Sequence, residues 1–282
     1  YRELKASAGK HLLVSTLVLL ATAAALFLPQ LRKDAPPKKV SGAMQALDFW
    51  ASGRAYPGRV IPDVGQALAF EQMQGMRTRN AFIDETTEPW TSMGPTNIGG
   101  RTLALALYPG NPDIIFAGSA SGGLWRTDTG GVGASAWARV DTGHAVTSVS
   151  CIAIDETNPQ RMYIGTGEVY RYQDSMGGEV IRTTRGGYGV GLLKSEDGGA
   201  TWTKSLDWTY AQKRGVWSVR IDPTDAETLL VGSTEGVYRS TDAGDTWSLV
   251  LDVLMVTDLR IHPADPQTIF AACGNFSSAG HG

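Results

Sequence analysis

The chain has 282 residues, 42% hydrophobic and 19% charged, with 34 glycines. That balance excludes a disordered chain and suits one large all-β domain or two ordinary ones. Its 25 basic and 28 acidic residues leave a net charge of −3. No basic stripe with interleaved aromatics marks a nucleic-acid surface.

Residues 12–28 read LLVSTLVLLATAAALFL, without a charge, between Arg2, Lys5 and Lys10 on one side and Arg32, Lys33, Lys38 and Lys39 on the other. As a helix this run covers about 25 Å, a little short of a ~30 Å hydrocarbon core, and flanking Lys and Arg can snorkel across the difference. The run predicts a single transmembrane anchor in residues 1–32. A cleaved signal peptide, with Ala21-Thr22-Ala23 as its small-residue site, is the alternative. Both flanks are basic, so charge does not set the orientation. A polar, Pro-containing linker follows at residues 33–39. Residues 41–52 predict a short helix capped by Ser41, with Met44, Leu47 and Trp50 near one face. Residues 62–82 predict a second helix, with Asp63 as its N-cap and Leu68, Met73 and Met76 on one face. Residues 33–89 thus form a linker and helical extension, expected to pack on the following domain or on a partner.

From Trp90 onward short β-type runs alternate with Gly, Pro, Asn and Asp turns. Residues 216–253 are the clearest unit, with strands expected at 216–221, 228–232, 236–240 and 246–251. The turns YPGNPD, DETNPQ, DPTDAE and HPADPQ align, and so do the strands after them, IIFAG, RMYIG, TLLVG and TIFAA. Such units predict four-stranded antiparallel sheets that shield one another around an axis as propeller blades. An open sandwich is the alternative. The innermost strands, TLALAL and CIAI, are expected to be apolar on both faces. About three and a half blades fit in residues 90–282. The chain opens on Tyr1 and the fourth repeat breaks off before Gly282, so a longer protein is expected.

The string Ser195-x-Asp197-x-Gly199-x-Thr201-Trp202 recurs as Ser240-x-Asp242-x-Gly244-x-Thr246-Trp247, with a degenerate version around Thr127, Asp128 and Gly130 and a later Trp137. It suits a turn in which Asp accepts backbone N–H groups, Gly takes positive φ and Trp covers the turn. On these residues the chain resembles the Asp-box, or BNR-repeat, propellers: sialidases, xyloglucanases and the sortilin ectodomain. The layout WTSMGPTNIGGR before FAGSASGGLWRTD is also similar to secreted bacterial repeat proteins. The resemblance covers residues 90–282. It implies that the boxes are structural, that ligands bind on the opposite rim, and that the propeller lies on the periplasmic or extracellular side.

On that opposite rim one loop, residues 168–188, is longer than its counterparts by an insertion of about 20 residues, and long loops are often functional. It supplies Tyr170, Arg171, Tyr172 and Arg182, to which neighbouring segments add Arg101, His144, Trp208, Tyr210 and Arg214. This set predicts a protein- or glycan-docking face, aromatics anchoring and arginines pairing with carboxylates. Against it stands the plain reading of a solvated loop with local ion pairs. Glycoside hydrolysis needs two carboxylates about 5 to 9.5 Å apart. Glu168, Asp174 and Glu179 are the available acids, though spacing alone does not pair them. No serine elbow, zincin helix or phosphate loop is present, and the Arg-Ile-Pro start of sialidases is missing. The two cysteines, Cys151 and Cys273, lie in apolar strand-like runs and read as buried small side chains, with a disulfide left open. No cofactor or metal is expected. The primary reading is a non-catalytic, membrane-anchored subunit that binds other subunits of a membrane complex, with residues 12–28 in the bilayer. The alternative is an extracytoplasmic glycoside hydrolase or glycan-binding protein.

Overall fold

A computed structural model describes residues 64–80, 100–169 and 187–274, with isolated residues between 42 and 58. The chain divides into two units, Tyr1–Trp50 and Ala51–Gly282, and the architecture below is that of the second. The anchor expected at residues 12–28 lies outside the described residues; among these, no helix is long and apolar enough to cross a membrane. Of the helix expected over 41–52, only single residues such as Gly42, Gln45 and Phe49 are described, and these are helical. The second expected helix is α1, Gly65–Asn80, while its expected cap, Asp63, lies outside the described residues. Its expected apolar face is open to solvent: Leu68, Met73 and Met76 are all exposed.

Three four-stranded antiparallel sheets and a two-stranded one follow in chain order. The first holds β1 (Thr102–Tyr108), β2 (Asn111–Ser119), β3 (Leu124–Thr127) and β4 (Trp137–Val140). The second holds β5 (Val149–Ile154), β6 (Met162–Thr166), β7 (Gly191–Ser195) and β8 (Thr203–Asp207). The third holds β9 (Val216–Asp222), β10 (Asp225–Ser233), β11 (Val237–Ser240) and β12 (Ser248–Leu251), and the fourth β13 (Val256–His262) and β14 (Asp265–Cys273). Each sheet is a simple meander, and β1, β5, β9 and β13 lie side by side in succession. These are propeller-like blades stacked one after another, not the two layers of a sandwich.

The core lies between blades. Phe116 and Leu124 of the first blade meet Val149, Ile164 and Leu193 of the second. Tyr163, Leu192, Leu206 and Trp208 of the second meet Val216, Val219 and Leu229 of the third. Each such side chain, fully buried, contributes roughly 1.5–3 kcal/mol. The inner strand β5 is buried or half-buried along its length, as expected of a strand apolar on both faces. Strand β1 departs from that expectation, because Leu105 and Leu107 on its outer face are 67% and 64% exposed.

Both Ser-x-Asp-x-Gly-x-Thr-Trp strings close the same turn between the third and fourth strands. Ser195 Oγ accepts from Gly199 N (2.9 Å), Asp197 Oδ1 from Thr201 N (2.8 Å), and Trp202 Nε1 donates to Gly199 O (3.1 Å). In the next blade Ser240, Asp242, Gly244, Thr246 and Trp247 repeat the pattern at 2.8, 2.9 and 3.1 Å. The degenerate version keeps part of it, with Thr127 Oγ1 accepting from Gly131 N at 3.0 Å. Hydrogen bonds, first from the Thr201 hydroxyl and then from its amide, hold Asp197 down at about 2; those of Thr246 do the same for Asp242.

These turns also join blades. Tyr163 Oη of the second blade donates to Ala243 O in the third blade's turn (2.8 Å), and Trp247 Nε1 donates to Ser205 Oγ (3.0 Å). Arg161 pairs with buried Asp155 (2.8 Å) and reaches Glu227 of the next blade (2.7 Å). Neither cysteine is in a disulfide. Cys151 is buried, and that burial pushes its thiol up to about 12, while Cys273 is half-buried.

Candidate functional site

Antiparallel meanders divide the loops between two rims. The Ser-x-Asp turns occupy one. The other carries the segments after the second strand of each blade and those linking one blade to the next. On that second rim Arg101, just before β1, makes a two-pronged ion pair with Glu168, just after β6; the longer prong, Nη2 to Oε2, is 2.7 Å. The Glu168 side chain is fully buried and that of Arg101 about half exposed. The pair therefore ties the first blade to the foot of the long loop of the second.

Backbone contacts complete the foot. Glu168 N donates to Gly187 O (2.8 Å), Gly167 N to Ser148 O (3.0 Å) and Gly189 N to Arg214 O (2.7 Å). Gly167 has φ of 92°, and a Cβ there would lie 2.5 Å from Gly189 N, so no larger residue fits this closure. Trp217 Nε1 of the third blade donates to Val169 O (3.1 Å), holding the loop's other flank.

A second ion pair sits one blade on. Arg214 meets Glu235 at 2.6 Å, and Tyr238 Oη donates to Glu235 Oε2 at 2.6 Å. The Arg214 guanidinium lies over the Trp208 ring at 5.5 Å, and Trp208 meets Tyr238 edge-on at 5.9 Å. Tyr210 and Tyr188 make another edge contact at 5.6 Å, with the Lys213 ammonium 6.0 Å over Tyr188. The Arg214 Nε–H is buried without an acceptor among the described residues.

Glu168 and Glu235 hold the same place in successive repeats. Thr166 pairs with Val149 and Ser233 with Val216, and each Glu stands two residues beyond. Gly215 lies between them: its carbonyl accepts from Thr234 N (3.0 Å), and Gly167 is packed against its Cα.

Of the residues expected on this rim, the structure sets Arg214 over Trp208, places Tyr210 against Tyr188 and joins Arg101 to Glu168. Trp208 differs from expectation: it is 3% exposed and serves as core between the second and third blades. His144 is bound elsewhere, its Nε2 3.2 Å from the Trp202 carbonyl. Tyr170, Arg171, Tyr172, Asp174, Glu179 and Arg182 lie outside the described residues. Glu235, Tyr238 and Trp217 join the site without having been foreseen. The repeat alignment held the signal for Glu235, since it places that residue opposite Glu168.

No family model matches the chain. It is 23% identical to a xyloglucanase of Hypocrea jecorina, over 57% of this chain and 27% of that protein. It is 27% identical to a xyloglucanase of Paenibacillus sp, over 54% of this chain and 14% of the relative, and 27% identical to xyloglucanase Xgh74A of Acetivibrio thermocellus, over 54% and 18%. The chain thus spans less than a third of the length of these curated relatives. Among solved structures, an ancestral GH74 enzyme matches 53% of this chain and 18% of its own at 26% identity, with a TM-score of 0.41. A GH74 xyloglucanase from Xanthomonas campestris matches 61% and 35% at 18% identity, with a TM-score of 0.31.

Proposed function

We propose that the chain is part of a propeller-type glycoside hydrolase that acts on a xyloglucan-like polysaccharide, with the long-loop rim facing the sugar. The observation that carries this is the similarity to three xyloglucanases over more than half of the chain. The rim chemistry supports it. A neutral polysaccharide is held by aromatic faces and by hydrogen bonds from fixed polar groups, and Tyr210 and Trp217 stand half-buried beside two Arg–Glu pairs. The ion pairs hold the loop feet in place while the rings offer contact area. In this reading the Ser-x-Asp turns are Asp boxes of BNR repeats and take no part in chemistry. Nothing among the described residues favours a non-catalytic docking subunit over this reading. We also propose residues 12–28 as a bilayer anchor, with the blades on the periplasmic or extracellular side. Alkaline carbonate extraction tests that part: the chain stays with the membrane pellet, and release into the supernatant overturns it.

Electrophoresis of the chain through gels cast with and without xyloglucan tests the sugar-facing rim. Retardation by the polysaccharide is expected, and Tyr210→Ala and Trp217→Ala should each lose most of it. Reducing-end release then separates cleavage from binding, with Glu168→Gln and Glu235→Gln as the variants to compare. Equal mobility in both gels together with no reducing ends released overturns the reading.

A further inference from the structure

The acids of the two Arg–Glu pairs hold one place in the repeat and differ in what they leave open. The Glu168 side chain has no exposed surface, so a ligand does not reach it, and its pair with Arg101 serves as a strut between blades. At the second pair 25% of the Arg214 side chain and 17% of that of Glu235 are exposed. A carboxylate accepts hydrogen bonds and a guanidinium donates them. Side by side at 2.6 Å, the two make an edge that takes a hydroxyl proton on one side and a hydroxyl oxygen on the other. Adjacent hydroxyls of one sugar ring offer that combination.

Both partners are fixed before any ligand arrives. Glu235 sits in the tight turn between β10 and β11. There Ser233 Oγ accepts from Glu235 N and from Gly236 N, each at 3.2 Å, and Tyr238 Oη donates to the carboxylate. Arg214 follows Lys213, whose φ of 60° is left-handed, a costly conformation for a residue with a Cβ. Around that bend consecutive cations meet different rings, Lys213 over Tyr188 and Arg214 over Trp208. Backbone strain of this kind collects at ligand clamps. A second cost lies in the next side chain, where Arg214 Nε–H is buried without an acceptor among the described residues. Neither cost stabilises the fold, and both fall at the pair whose acid is open.

We propose that the Arg214–Glu235 pair is a sugar subsite. Glu235 accepts one hydroxyl and Arg214 donates to the oxygen of the next, on a neutral sugar unit with adjacent free hydroxyls. This rests on the long-loop rim facing the polysaccharide and names the polar pair that touches it.

Electrophoresis in gels of graded xyloglucan content gives a dissociation constant for the full chain. Glu235→Ala and Arg214→Met should each raise it about tenfold, because a hydrogen bond to a charged group is lost. Glu235→Gln keeps an acceptor oxygen in the same turn and should raise it about threefold, which covers the case of an Ala variant that does not fold. Unchanged circular dichroism verifies folding. Glu227→Ala breaks a different ion pair, to Arg161 at 2.7 Å, on the rim of the Ser-x-Asp turns. It should leave the constant within about twofold, being remote from the subsite. Wild-type retention that no substitution at Arg214 or Glu235 weakens overturns the subsite and leaves the sugar-facing rim standing. A loss matched by Glu227→Ala also overturns the subsite, since it marks a general loosening of the blades. A wild type that xyloglucan does not retain overturns the rim reading and the subsite with it.

Discussion

The junction between the second and third blades and the face beyond the fourth are built from the same positions and have opposite fates. At the junction Tyr163 is fully buried and Gly165 lies so close to Cys151 and Val216 that a Cβ would fall 2.3 Å from Cys151 Sγ. At the end face Phe270 is exposed, and Ala272 stands where the other blades have Gly118, Gly165 and Gly232. The outer strands repeat the contrast. Leu206 and Trp208 are core, while Leu251 and Val253, their counterparts one blade on, are 42% and 39% exposed beside a sheet of only two described strands. A side chain's position in the repeat sets where it points; the neighbouring blade sets whether it stabilises anything.

That comparison is broken most directly by truncating the rings. Tyr163→Ala should cost about 3–5 kcal/mol, the range for emptying a large buried aromatic site. Phe270→Ala should stay within about 0.5 kcal/mol, because the ring is exposed. Urea midpoints of the two variants check this, and equal losses would mean that Phe270 is covered as Tyr163 is. Enlarging the small residues comes next. Gly165→Val should cost about 1–3 kcal/mol by overpacking, while Ala272→Val should leave thermal melting nearly unchanged. The smallest effect contrasts the two rims. Asp197 and Asp242 are held near 2, below their ordinary value of 3.8, so their hydrogen-bonded turns contribute stability above that value and lose it as pH falls toward 2. Melting temperatures followed from pH 5 to 2 should decline less steeply in the Asp197→Asn, Asp242→Asn double variant than in wild type.

Much of the scaffold was legible in advance. The strands expected at 216–221 and 228–232 are β9 and the body of β10, and the box strings close the turns read from them. The rim was legible only in part. Arg214 and Tyr210 could be placed by loop position, yet Trp208 was read as a surface anchor because an aromatic beside a turn has the same local signature whether or not a blade lies over it. Glu235 went unnoticed because a lone Glu before Gly has no local mark. Its significance lies in the Arg214 and Tyr238 contacts made across the fold.

By itself the sequence determined the repeating meander, since alternating apolar residues and Gly, Asn and Asp turns act over a few positions and need no distant partner. Only the tertiary structure decided which copies of each repeated side chain are core and which acids are paired with arginines. Burial and ion pairing depend on the surface brought up from another blade, and identical local strings meet different neighbours at the middle and at the ends of the stack.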